Sequence, residues 1–130
     1  MTHEQINEAY KPRIIVLLTF LQSFLNERGY SFGEPEDVGC DDYKYRIFDE
    51  KNKIGIDVEI CLSEDFGDDP GGVNFALNVE GIKGEILSIR PYNYTPQCWV
   101  DRNDDEAVKE RWHGFANLDW KNDLAKLISL

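Results

Sequence analysis

The chain has 130 residues, of which 42% are hydrophobic and 30% are charged, and its formal net charge is −11 at pH 7. This length and composition predict a single globular domain over residues 1–130, large enough to bury a hydrophobic core. Acidic residues outnumber basic ones in both halves of the chain. A negative field of this kind repels nucleic acids and anionic membranes, and it favours basic proteins or cations as partners.

The three cysteines, Cys40, Cys61 and Cys98, are widely spaced and form no Cys-X-X-Cys or Cys/His cluster. A zinc centre or a disulfide framework is therefore not expected, and the sequence predicts no cofactor. The N-terminal residues are polar and lack the charged-then-apolar profile of a signal peptide. The predicted location is therefore the cytoplasm.

The most apolar segment, IIVLLTFLQSFL, covers residues 14–25. It is shorter than the about 20 residues that a membrane-spanning helix needs. On a helical projection it is apolar around most of its circumference, and Gly29 can end the helix in a left-handed conformation. Upstream, Thr2 to Gln5 has capping-box spacing, which predicts a helix that begins there and bends at Pro12. Either the sheet and the C-terminal helices cover this helix, or a second copy of the chain does, as in a homodimer.

Residues 43–49 and 54–62 alternate between apolar and polar side chains, which is typical of half-buried strands. The intervening EKNK, Glu50 to Lys53, predicts a four-residue hairpin loop. One register places opposite charges together on one face and apolar groups together on the other. That register pairs Asp49 with Ile54, Ile47 with Ile56, Arg46 with Asp57, Tyr45 with Val58, Lys44 with Glu59 and Tyr43 with Ile60.

Further strands are predicted at residues 73–80, 85–90 and 98–100, with residues 33–42 as a loop and residues 81–84 as a turn. Asn103 to Glu106 has capping-box spacing and predicts a helix whose apolar side carries Val108, Trp112 and Phe115. A last helix follows, with Trp120 and Leu124 on its apolar side.

The predicted fold class is α+β, with an N-terminal apolar helix, an antiparallel meander of four to five strands, and two short C-terminal helices packed on one face of the sheet. The opposite face of the sheet is predicted to be solvated and polar. It would carry Lys44, Arg46, Asp57, Glu59, Asn74 and Asn78.

The segment SEDFGDDPGGVNF, Ser63 to Phe75, holds a DFG triplet, several carboxylates and three glycines. A protein kinase would also need a glycine-rich phosphate loop, a strand lysine and an HRD segment, and the chain has none of these. The carboxylates could supply calcium ligands, but the EF-hand spacing is absent and Pro-Gly-Gly is typical of turns. We therefore predict a solvated connection between two strands and no metal site.

Cys98 and His113 are the candidate catalytic residues, as a possible nucleophile and a possible general base. A pocket between the sheet and the helices that held both would predict a small enzyme or ligand-binding domain. No short motif links the two residues, and a buried, inert thiol is the commoner state of a cysteine beside a tryptophan.

Three acid-rich stretches, residues 34–42, 64–69 and 101–106, fall in predicted loops or at a helix start. If the fold gathers two of them, they form an anionic patch that attracts a basic partner. Tyrosines and a tryptophan in RPYNYTPQCW, residues 90–99, could add rigid apolar contact area, or they could cover the end of the sheet. The predicted partner-binding residues are Asp65, Asp68, Asp69, Tyr92, Tyr94, Trp99, Asp104, Asp105 and Glu106.

The leading hypothesis is therefore a non-enzymatic accessory protein that binds a basic protein. In size, charge and element order the chain resembles small acidic accessory proteins of bacteria, such as toxin-immunity proteins and type III secretion chaperones. The alternatives are the small enzyme described above and a structural subunit of a larger assembly. The last would show an apolar patch left exposed by the first helix.

Overall fold

The structure is a computed structural model that describes residues 1–40, 42–63, 71–81, 86–89 and 99–128, with the side chains of 86–89 and 127–128 excepted. Three helices pack against an antiparallel sheet. The helices are α1 (His3–Asn26), α2 (Asp105–Ala116) and α3 (Trp120–Ile128). The strands are β1 (Glu36–Asp37), β2 (Tyr43–Asp49), β3 (Ile54–Leu62), β4 (Gly72–Glu80), β5 (Ile86–Ile89) and β6 (Val100–Asp101).

The sheet is an antiparallel meander in the order β1-β2-β3-β4-β5, and β6 pairs with β4 at the end of that strand not used by β5. The α+β class and the helix–sheet–helix order are as predicted. The register of β2 and β3 agrees with the prediction at every pair proposed, from Asp49 opposite Ile54 to Tyr43 opposite Ile60. This agreement follows because both faces of the hairpin independently favour the same alignment.

The long helix α1 begins at the predicted capping box. The Thr2 hydroxyl accepts a hydrogen bond from the Gln5 N–H at 3.1 Å, and the Gln5 side chain accepts one from the Thr2 N–H at 2.9 Å. The helix runs from His3 to Asn26 with Pro12 inside it. At its end Gly29 has φ 99°, and the N–H of Tyr30 donates to the carbonyl of Leu25 at 3.2 Å, which is a Schellman motif.

The core lies between the helices and the inner face of the sheet. Tyr10 from α1, Phe75 from β4, and Trp112 and Phe115 from α2 form an aromatic cluster with ring centroids 5.1 to 6.0 Å apart. The Tyr45 hydroxyl of β2 donates a hydrogen bond to Asn7 of α1. The inner face therefore fixes where α1 and α2 lie on the sheet.

Two details differ from the predictions. The predicted loop over residues 33–42 contains β1, which pairs Glu36 with Arg46 and Asp37 with Tyr45. The N-cap of α2 is Asp104 instead of Asn103, and its carboxylate accepts from the N–H of Ala107 at 3.1 Å. In the described part of the chain, no helix is long and apolar enough to span a membrane.

Candidate functional site

The outer face of the sheet, opposite the helices, carries a row of polar residues that crosses four strands. The strand register places Glu36, Arg46, Asp57 and Asn78 next to one another in this row. Because side chains alternate along a strand, all four belong to the face that the helices leave uncovered. The sequence predicted the Arg46–Asp57 pair, but not the extension of the row to Glu36.

Arg46 is the centre of this face. Its Nε lies 3.4 Å from a carboxylate oxygen of Asp57, and its Nη2 lies 3.1 Å from a carboxylate oxygen of Glu80. The guanidinium carbon is 4.7 Å from the centroid of the Phe48 ring, two residues along the same strand. The guanidinium therefore lies flat across β3, between acidic groups of two strands and an aromatic ring.

Gly55 makes this arrangement possible. A Cβ atom at position 55 would lie 2.2 Å from Nη2 of Arg46 and 2.7 Å from its Cζ. Any larger residue would force the guanidinium away from its present position, since real Cβ contacts are not that short. No pattern in the sequence predicts this role, because Gly55 lies in an otherwise regular alternating strand.

Beside the guanidinium is a hollow of about 210 Å³, lined by Gly33, Glu34, Glu36, Arg46, Phe48 and Glu50. We call it the Arg46 hollow. Its three glutamates are exposed, and the Phe48 side chain is 38% exposed. A small concave surface with carboxylates and an accessible aromatic ring suits a cationic side chain, because both groups attract positive charge.

The electrostatics of this face are dominated by carboxylates. Burial raises the pKa of Asp57, the negative charges of Glu80 and Glu59 raise it further, and the positive charges of Arg46 and Lys44 oppose the rise. Glu59 also accepts a hydrogen bond from the Asn78 side chain at 3.4 Å. The carboxylates therefore outnumber the cations around Arg46, and an additional positive charge would be favourable there.

The outer face is less solvated than predicted. Asn74 is 1% exposed and Asn78 is 8% exposed, so this face is buried along most of β4. The Asn74 side-chain oxygen accepts from the N–H of Phe75 at 2.9 Å. Its side-chain nitrogen has no hydrogen-bond partner among the residues that the structure describes. The buried part is the stretch of β4 around Asn74 and Asn78, whereas Glu80 at the end of β4 and the glutamates beside β1 and β2 are exposed.

The predicted acidic residues of α2 lie elsewhere. Asp104 caps the helix, and Asp105 lies 4.0 Å from the N-terminal amino group. Glu106 is exposed in the first turn of α2. Carboxylates in the first turn stabilise a helix by themselves, so these positions have a structural role whether or not they bind a partner.

The two described acid-rich stretches do not meet. Residues 34–42 flank β1 and residues 101–106 follow β6, with β2, β3 and β4 between the two strands. At about 4.8 Å per strand, β1 and β6 are roughly 19 Å apart across the sheet. That distance exceeds the Debye length of about 8 Å at physiological salt, so the two stretches act separately. The stretch near β1 instead joins the acidic groups of the outer face.

Several predicted partner-binding residues lie outside the described residues: Asp65, Asp68, Asp69, Tyr92 and Tyr94. The predicted strand connection that contains the DFG triplet, residues 64–70, also lies outside the described residues, and the strands on either side of it, β3 and β4, pair with each other. Trp99 is half-buried and packs closely on Gly72, where an added Cβ would lie 2.6 Å from the Cβ of Trp99.

His113, the imidazole of the enzyme hypothesis, is exposed in the last turn of α2. Its Nδ1 lies 3.4 Å from the side-chain nitrogen of Asn117, and no carboxylate pairs with it in the described part of the chain. Cys98 lies outside the described residues. Within those residues no group of three or more His, Cys, Asp or Glu side chains is arranged to hold a metal ion.

A second concave surface lies on the helical side of the molecule. An open groove of about 660 Å³ runs between α1 and the α2–α3 connection, and its apolar lining includes Val16, Phe20, Trp112 and Leu118. His113 is not part of it. This groove and the Arg46 hollow are on opposite sides of the sheet, so they are independent surfaces.

Comparison with known proteins identifies no relative of this chain. No protein-family model, curated protein or solved structure matches the chain.

Proposed function

We propose that this chain is a non-enzymatic accessory protein that binds a basic protein through the Arg46 hollow. The observation that carries the proposal is the group of three exposed glutamates, Glu34, Glu36 and Glu50, beside the accessible ring of Phe48. A lysine or arginine side chain of the partner would place its charge among these carboxylates and against the ring face. The predicted cytoplasmic location is part of this proposal.

Arg46 has a defined part in the proposed interaction. It already neutralises Asp57 and Glu80 and lies against one side of Phe48. The glutamates on the β1 side of the hollow have no ion pair among the described residues, so they remain available to the partner. The excess of acidic groups over the whole chain would steer a basic protein towards this face at long range.

The first experiment is affinity capture of the partner from the native source at low and at high salt. A basic protein that is retained at low salt and released at high salt supports the proposal, because screening weakens exposed charge pairs. Retention of the same neutral protein under both conditions would contradict it.

The second experiment assigns the interaction to a surface. The triple variant Glu34→Gln/Glu36→Gln/Glu50→Gln should bind the captured partner about tenfold more weakly, since exposed ion pairs contribute up to about 1 kcal/mol each. A matched control, Glu4→Gln/Glu8→Gln/Glu110→Gln, removes the same charge from exposed helix positions and should change the dissociation constant about twofold or less.

A third variant, Asp105→Asn/Glu106→Gln, tests the acidic start of α2. If this variant loses binding and the hollow variant does not, the partner uses the residues that the sequence predicted instead of the Arg46 hollow. Equal losses of affinity in all three variants would show that binding depends on net charge and not on a particular surface.

A further inference from the structure

The helix α1 leaves an apolar stripe uncovered on the side of the groove. Val16 is 70% exposed, Phe20 is 49% exposed, and Phe24 is half-buried. These residues follow one another at four-residue steps, so they lie on one side of the helix. The opposite side of α1 is buried in the core, so Val16 and Phe20 form an exposed apolar surface on a helix that is otherwise packed against the sheet.

Charged residues extend the stripe symmetrically at both ends. Arg13 precedes Val16 by three positions, and Glu27 follows Phe24 by three positions. At 100° per residue, all five side chains project within about 40° of the direction of Phe20. Both charged residues are exposed, and neither forms an ion pair among the described residues; Arg13 lies 5.0 Å from the Tyr10 ring.

The five positions 13, 16, 20, 24 and 27 are spaced symmetrically about Phe20, and the residues at the two ends have opposite charge. We propose that a second copy of this chain docks on the stripe with its α1 antiparallel, around a two-fold axis at Phe20. In this arrangement Phe20 faces Phe20, Val16 faces Phe24, and Arg13 faces Glu27 of the other copy. The Phe20–Phe20 contact lies on the axis, and the Val16–Phe24 and Arg13–Glu27 contacts each occur twice, as a two-fold interface requires.

The groove provides the second wall of the interface. Leu118, which is 37% exposed, lies across the groove from α1, and the Lys121 amine lies 4.7 Å from the Phe20 ring and 5.3 Å from the Phe24 ring. The α1 helix of the second copy would cover Leu118 and the aliphatic part of Lys121, in addition to the stripe. Two packed helices lie about 8–10 Å apart between axes, so a helix docked on the stripe would also contact residues across the groove.

Charge repulsion does not prevent this contact. Although the whole chain carries −11, the charged residues that line the groove are Arg13, Lys121 and Asp119, so the contact surface itself has no acidic excess. More distant charges are screened beyond about 8 Å at physiological salt. The interface lies on the opposite side of the sheet from the Arg46 hollow, so it goes beyond the proposed function and can be tested separately.

Sedimentation equilibrium of the purified chain tests the proposal. We expect the wild type to sediment at twice the 15.1 kDa mass of one chain, and the Val16→Asp variant to sediment as a folded monomer. The large exposure of Val16 means that this change does not disturb the core, and circular dichroism verifies the fold. A monomeric wild type overturns the proposal. The stripe would then be a candidate binding surface for a helix of a different protein.

A charge-swap series tests the antiparallel pairing itself. Arg13→Glu or Glu27→Arg alone should weaken the dimer about tenfold or more, because each places like charges together twice. The double variant Arg13→Glu/Glu27→Arg should restore dimerisation to near the wild-type constant. Glu8→Arg, away from the stripe, changes the net charge as much as Glu27→Arg and should have little effect. A double variant that stays monomeric excludes this register.

Discussion

The two faces of the sheet are stabilised in different ways. The inner face packs Phe75 against three aromatic rings from α1 and α2, and its residues are buried almost completely. The outer face places Arg46 between Asp57 and Glu80, and its β1–β2 side stays open to solvent. The inner face thus contains the hydrophobic core, whereas the outer face holds a partly exposed network of charges.

The largest expected effect is on the inner face. Phe75→Ala should lower the free energy of unfolding by about 3–5 kcal/mol, because it removes a fully buried ring and leaves a cavity. The matched variant on the outer face, Phe48→Ala, should cost less than about 1 kcal/mol, because Phe48 is 38% exposed. Urea denaturation of both variants measures the difference, and similar losses would contradict the division between the two faces.

Asp49 belongs to the inner side of the hairpin, and its carboxylate is fully buried. It accepts hydrogen bonds from the Ser31 N–H at 2.7 Å and from the backbone and side chain of Asn52 at 2.9 and 2.8 Å. Burial by itself raises the pKa of Asp49, but these hydrogen bonds to the charged form outweigh it, and the pKa lies below its usual value.

We expect Asp49→Asn to destabilise the fold by about 2 kcal/mol, since an amide cannot accept from all of these donors. The lowered pKa means that the contribution of Asp49 is complete above the unfolded-state pKa of about 3.9 and is lost as the pH falls through the folded-state pKa. Denaturation at several pH values should therefore show a weaker acid dependence for Asp49→Asn than for the wild type. Glu50→Gln, an exposed neighbour, is the control and should leave that dependence unchanged.

The hairpin shows why part of this structure is readable from sequence. In β2 and β3, polar and apolar residues alternate over most of the pairs, and a shift of one residue would turn the apolar side chains of one strand, such as Tyr45 and Ile47 of β2, towards water. Burial therefore selects one register. By contrast, β1 consists of two acidic residues, Glu36 and Asp37, which carry no alternation, so its pairing with β2 depends on contacts distant in sequence.

The candidate site was harder to predict for the same reason. The Arg46 hollow depends on Gly55 lacking a side chain and on residues 33–36 crossing beside β2, and neither feature produces a local pattern. The start of α2 illustrates a smaller ambiguity. Asn103, Asp104 and Asp105 are all good capping residues, and the preceding turn, in which the Asp104 N–H donates to the Asp101 carbonyl at 3.0 Å, makes Asp104 the N-cap.

The smallest expected effect on the free energy of unfolding is that of Asp57→Asn, and its pH dependence has the opposite sign to that of Asp49→Asn. Because its pKa is raised, Asp57 contributes in the opposite direction: the fold gains stability as the pH falls through the folded-state pKa towards about 3.9. At neutral pH, Asp57→Asn removes a partly buried charge but also one partner of Arg46, so we expect a change within about 1 kcal/mol and a loss of this gain at low pH. The same denaturation series measures both. A loss above about 2 kcal/mol would show that the Arg46–Asp57 pair is needed for folding, and the outer face would then be structural in the same sense as the inner one.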